Sequence, residues 1–148
     1  MQELLDMVEY HGIDLQEVLF RDQIRGFYGD GVIWIDKRLN YAEKRCKLAE
    51  ELGHFYMNKG NLLDLKDYRA IKQEYIGRKW AYEMLMPMNL IISAIKSGVS
   101  TFQEIVDYLN VTEEFAVDAI NYYKKKYGES VTCNKYRVNF SPLRIEGS

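Results

Sequence analysis

At 148 residues, 47% of them hydrophobic and 28% charged, the chain can bury a core of its own and reads as one soluble globular domain. A net charge of −2 and a pI near 5.8 argue against nucleic-acid binding, which normally shows as a basic domain. Two cysteines, Cys46 and Cys133, with no C-x-x-C between them, fit a reducing cytosol and call for no disulfide.

The first residues lack a basic segment followed by a long apolar one, so no secretion signal is expected. The greasiest run, Met84 to Ile92, is interrupted by Pro87 and Asn89 and is too short to span a bilayer. The expected location is the cytoplasm, with no membrane and no direct nucleic-acid partner.

In chain order, Leu4, Leu5, Met7, Val8 and Tyr10 predict a short helix ended at His11-Gly12. His11 at that end reads as a capping or solvent-exposed histidine rather than a ligand. Ile13 to Phe20 alternates loosely, as a first strand. Residues 24–36 carry the clearest β pattern: Ile24 to Tyr28 and Val32 to Asp36 flank Gly29-Asp30-Gly31, the chemistry of a tight hairpin. A helix follows over 40–58, with Asn40 as its N-cap.

A polar connection leads to a second long helix over 68–86, stopped by Pro87. Residues 89–127 predict further helices. Among them, Thr101 to Glu104 has capping-box spacing, and Asn110-Val111-Thr112 turns the chain between two helices. That pair has a helix-turn-helix outline, but Glu113, Glu114 and Asp118 would meet phosphates with the wrong sign, so packing is the better account. Lys124 to Lys126 complement the end of the last helix. Residues 131–140 alternate like a terminal strand.

The chemistry concentrates on the 40–58 helix. Glu50 and His54 are four apart and leave one face, and Glu51 sits beside them. Glu50-Glu51-Leu52-Gly53-His54 differs by one residue from H-E-x-x-H, in which two histidines hold zinc and the glutamate is the general base. Carboxylate oxygen is a legitimate zinc ligand, so glutamate at position 50 makes such a site more anionic without abolishing it. Read blandly, the same residues are solvated glutamates on a surface helix.

On the 68–86 helix, Glu74, Gly77, Ala81, Met84 and Leu85 form one stripe expected to face inward. A buried carboxylate there needs an arginine, hydrogen bonds or a metal, and Arg78 one turn away is the simplest partner. Gly77 and Ala81 would let another helix approach closely. Cys46, one turn before Glu50, reads as a packed thiol, with ligation as the alternative.

These pieces in this order resemble the ImmA/IrrE family of metallo-endopeptidases. The likeness rests on the Gly-Phe-Tyr…Ile-Trp-Ile-Asp hairpin, on Leu48-Ala49-Glu50-Glu51-Leu52-Gly53-His54, and on Glu74, Gly77, Trp80, Ala81, Met84, Leu85 and Pro87. The family usually has histidine where Glu50 stands and alanine where Gly77 stands. The resemblance implies an α+β, zincin-like, mostly helical single domain with a small sheet beside the active-site helix. It implies metal ligation by Glu50, His54 and Glu74, with Glu51 as general base. The expected cofactor is zinc, or another divalent metal such as manganese or iron, since a second carboxylate in place of a neutral imidazole lowers the metal's Lewis acidity. The expected partner is a protein substrate, a helix-turn-helix transcriptional repressor of a phage or mobile element. The alternative function is a non-catalytic protein that binds the repressor and keeps the fold. Tyr75, Arg78 and Tyr82 are the candidates for stabilising an oxyanion.

Overall fold

The computed structural model describes residues 1–21, 24–57, 68–99 and 101–147, with backbone alone over 68–73. The protein is α+β, as expected, and its contacts divide it into two compact units, Met1–Ala81 and Tyr82–Ser148.

The first unit opens with α1, Gln2–Tyr10, which buries Leu4 and Val8 and ends where Gly12 takes a positive φ of 65°. Three strands follow: β1 (Asp14–Val18), β2 (Gly26–Gly29) and β3 (Val32–Asp36). Their order is β1-β3-β2, with β3 parallel to β1 and antiparallel to β2. The expected hairpin is therefore the β2–β3 pair. Gly29 pairs with Val32, so Asp30-Gly31 is a two-residue loop, and both residues have positive φ, 52° and 77°, as a twist-matched turn requires. Ile33 and Ile35 of the central strand are buried.

After β3 the chain is pinned at Asp36, which has no exposed surface. Its carboxylate accepts hydrogen bonds from the Arg38 backbone N–H (2.9 Å), Nε (3.0 Å) and Nη2 (2.6 Å), and Arg25 approaches to 3.5 Å. The Arg38 guanidinium holds this carboxyl well below the usual carboxylate range. Four residues after Asp36, Asn40 caps α2, Tyr41–Met57, reciprocally. The Glu43 N–H donates to Asn40 Oδ1 (2.9 Å), and the Asn40 N–H donates to Glu43 Oε1 (3.0 Å). The expected end of this helix, at 58–60, lies outside the described residues.

Helix α2 packs on β2 and β3, and its Leu48, Ala49 and Leu52 are buried. Helix α3, Tyr68–Leu85, presents the expected stripe inward: Gly77, Ala81 and Leu85 are buried and Glu74 is partly so. Within the first unit α2 and α3 come together at glycine. A Cβ on Gly53 would overlap the Gly77 carbonyl oxygen and lie 2.9 Å from its carbon.

In the second unit, Pro87 stops α3, and α4 (Met88–Lys96), α5 (Phe102–Leu109) and α6 (Glu113–Tyr127) follow. Thr101 and Thr112 cap α5 and α6, accepting from the Glu104 and Phe115 N–H groups at 3.1 Å each. Between α5 and α6, Asn110 is left-handed (φ 55°), and Glu113, Glu114 and Asp118 of α6 are exposed. Lys126 of the basic helix end is not merely solvated, since its Nζ is 2.6 Å from Glu83 Oε1.

The single terminal strand expected over 131–140 is instead a hairpin, β4 (Ser130–Cys133) and β5 (Tyr136–Phe140), extended by β6 (Leu143–Gly147) into an antiparallel meander. Cys133 pairs with Tyr136, and Asn134 between them has φ 58°. Asparagine tolerates the left-handed region, so a run that alternates continuously can still be folded back in its middle. Cys46 is buried and no disulfide joins it to Cys133. Among the described residues no helix is long and apolar enough to cross a membrane.

The α2–α3 crossing has a direct test. Gly53→Ala places a methyl group against backbone that cannot move aside, and overpacking of this kind costs about 1–3 kcal/mol. Chemical denaturation should register that loss, and an unchanged midpoint would refute the close approach.

Candidate functional site

The site lies on the last turns of α2 and the facing part of α3. Its centre is His54, whose side chain is 6% exposed. Gly77 makes room for the ring, since a Cβ there would overlap His54 Cδ2 and lie 2.9 Å from Nε2. Glycine at this position is therefore more than a mild departure from alanine: it leaves the space into which the imidazole fits.

Each ring nitrogen meets a carboxylate. On one side His54 Nδ1 is hydrogen-bonded to Glu51 Oε2 at 3.0 Å, within the helix, and Glu51 is itself buried. On the other, Nε2 is 2.9 Å from Glu74 Oε2. The second contact is short but poorly aligned, and Nε2 makes no hydrogen bond despite its burial. The contact is an ion pair when the ring is protonated, and the same placement would let both atoms face a cation once the proton is gone. Neighbouring ligands of a tetrahedral ion at about 2.0–2.1 Å lie roughly 3.3 Å apart, close to the distance seen here.

Glu50 is held differently. Its Oε2 is 2.9 Å from Lys47 Nζ, three residues earlier on the same helix. The structure thus joins Glu51, His54 and Glu74, and turns one carboxylate oxygen of Glu50 to a lysine. Among the described residues no three His, Cys, Asp or Glu side chains are grouped as a cation site. The buried, unbonded His54 Nε2 beside the Glu74 carboxylate is the pair that would suit a cation, whereas the contact of Glu50 is with Lys47.

Arg78, the partner expected for Glu74 from sequence, lies at 3.7 Å from Oε1 and is half-exposed. It is a flank to the closer His54 contact rather than a replacement for it. Of the other two oxyanion candidates, Tyr75 is exposed beneath Lys79 Nζ, 4.4 Å from its ring centroid, and Tyr82 is buried against Phe115 and Tyr122 in the second unit. His11 also has a structural partner: its Nε2 is 2.6 Å from Tyr56 Oη, and the Tyr56 ring stacks on Trp80.

A profile of the IrrE N-terminal-like domain, a peptidase family, matches residues 8–121, well over half of the chain. The chain belongs to the IrrE N-terminal-like peptidase family. No curated protein matches it. The matched span includes residues 50–74, and the match supports the zincin-like reading of the fold and a metallopeptidase-like function. Metallopeptidases of this family use a divalent cation as a rule, which the His54–Glu74 pair suits.

Two contributors were not singled out from the sequence. Lys47 had a visible signal, opposite charges three apart on a helix. Gly53 had none by itself, because its role is to receive a backbone carbonyl from a helix more than twenty residues away in the sequence.

The electrostatics of the metal-free site give a pH test. Burial would lower the His54 pKa from 6.5, but the hydrogen bond with Glu51 and the nearby Glu51 and Glu74 carboxylates outweigh it and raise it to about 9. Burial would raise the Glu74 pKa above 4.5, but His54, Arg78 and Lys47 together lower it. The raised histidine contributes stability that is fully present below pH 6.5 and lost as pH rises through about 9. The depressed carboxylate contributes stability present above pH 4.5 and lost as pH falls through its lowered value. Urea unfolding of metal-free protein should show an alkaline decline that His54→Gln removes. An equal decline in the variant would refute the assignment.

Proposed function

We propose that the chain is a metal-dependent endopeptidase that cleaves a partner protein, with a helix-turn-helix repressor of a phage or mobile element as substrate. The observation that carries this reading is His54 Nε2, buried without a hydrogen bond and facing Glu74, in a chain of a peptidase family. The ion would be held by His54 and Glu74, with Glu50 as the third ligand. Zinc suits these donors, and manganese becomes a competitor as carboxylates replace imidazole. The cytoplasm, where repressors act, is the proposed compartment.

A divalent cation bound there supplies charge stabilisation for a developing oxyanion and acidifies water. The protein's own groups supply the rest. Glu51 holds Nδ1 through one oxygen, which orients the ring and leaves Nε2 directed at Glu74. The other carboxylate oxygen of Glu51 accepts the proton of the attacking water and passes it to the leaving amine. Arg78, beside Glu74, carries the positive charge best placed to assist the scissile carbonyl oxygen. Strand β2 is an edge of its sheet and lies against α2, so an extended peptide can add to it.

The second reading is a binder that retains the fold without cutting. It draws on the Lys47–Glu50 pair, which engages the third donor.

Co-expression with a candidate helix-turn-helix repressor, with mass spectrometry of the products, separates the two. Glu51→Gln should reduce cleavage by at least about 100-fold, the usual scale of acid–base assistance, while bound metal stays near wild type. His54→Ala should lose metal and cleavage together. Unchanged cleavage by Glu51→Gln removes the proposed base, and an intact but bound partner with wild-type protein favours the binder.

A further inference from the structure

Position 50 is the one proposed ligand that differs from the usual family pattern, and a lysine ammonium lies 2.9 Å from its carboxylate. Lys47 is built into place. A Cβ on Gly26 would sit 2.6 Å from Lys47 Cγ and 2.9 Å from Cδ, so the bare backbone of β2 forms the slot in which the lysine stem lies. The stem then delivers Nζ to Glu50 Oε2 at 2.9 Å, with the lysine side chain 29% exposed and the glutamate 16%. No positive φ is involved at Gly26, so the glycine serves space rather than backbone conformation. Close by, His54 Nε2 is buried and unpartnered, facing Glu74.

We propose that Lys47 is a tethered counter-ion for Glu50, which a divalent cation must displace to complete its ligand set, so that the Lys47–Glu50 pair sets the metal affinity of the site. The inference rests on the metal-binding reading above and concerns how that site is regulated. A histidine at position 50 is neutral when it ligates and gives an ammonium three residues earlier nothing to neutralise. Glutamate at 50 and lysine at 47 therefore work as a charge-matched pair. Lys47 also acts electrostatically on Glu74, so its charge opposes a metal at two of the three proposed ligands. In the metal-free chain the same pair keeps a largely buried carboxylate from being left uncompensated.

The test is competition titration of zinc against a chromogenic chelator, using the full chain. Lys47→Met should tighten zinc by about fivefold or more, the scale of one ion pair near a surface. Lys47→Arg, which keeps the charge, should remain near wild type. Lys47→Met combined with Glu50→Gln should bind no more tightly than Glu50→Gln alone, because the carboxylate to be released is gone. Metal-free Lys47→Met should also melt lower than wild type. Should that variant fail to fold, Lys47→Gln tests the same loss of charge with a polar end still available to Glu50. Equal zinc affinity in wild type and Lys47→Met would overturn the counter-ion role while leaving the metal reading intact. So would an equal gain in the Glu50→Gln background, since the effect would then bypass Glu50. Zinc binding by neither wild type nor Lys47→Met would overturn the metal reading itself, and this inference with it.

Discussion

The close approach of Gly53 to Gly77 is the constraint on which the candidate site depends. Helix α2 supplies Glu50, Glu51 and His54, and α3 supplies Glu74; two side-chain-free positions let the backbones meet. A β-carbon at either position would separate the helices or drive the imidazole out of its space. The separation of the two helices that lets His54 meet Glu74 is thus set by backbone packing at the two glycines. Rigid placement of this kind is what a ligand pair needs, because small displacements of donors are costly at a metal.

The rest of the first unit holds α2 at the correct entry. Asp36 ends β3 and gathers Arg38 and Arg25, and the Asn40–Glu43 box opens the helix four residues on. These polar contacts supply the buried carboxylate and the first helical N–H groups with partners. From that fixed start, the 3.6-residue repeat buries Leu48, Ala49 and Leu52 and brings Gly53 and His54 against α3. Gly26 extends the same logic to the sheet, where an absent side chain on β2 accommodates the Lys47 stem from α2.

Much of this was legible in the sequence because the informative signals were local. Asp30-Gly31 between two β-rich runs specified the hairpin, Pro87 the end of α3, and Asn40, Thr101 and Thr112 the starts of helices. The inward stripe from Glu74 to Leu85 was equally visible, since its period is that of the helix. The C-terminal meander was less so: Asn134 interrupts an alternating run with a single left-handed residue, and neither Gly nor Pro marks the turn. In the site, spacing gave Glu50 and His54 a common face, but it could not say which partner each would take. That depended on Lys47 within the helix and on Glu74 from the neighbouring one.

Glutamate at position 50 is therefore best understood through its surroundings rather than as an isolated change of ligand. Glu50, Glu51 and Glu74 bring three carboxylates to one small region, and Lys47, His54 and Arg78 face them. With His54 protonated, three negative groups meet three positive ones. A metal-free fold can consequently hold these carboxylates without leaving any of them as an unpaired charge. On the proposed metal-binding reading, a cation entering this arrangement would exchange with any proton on His54 and with the ammonium at Glu50, so its binding would be opposed by interactions that already satisfy the site. The extra anionic ligand would strengthen attraction for the ion, while the lysine beside it would withhold part of that gain. Affinity would then be governed by the difference between two occupied states, metal-free and metal-bound, and Lys47 would be the residue whose charge changes that difference without itself donating to the metal.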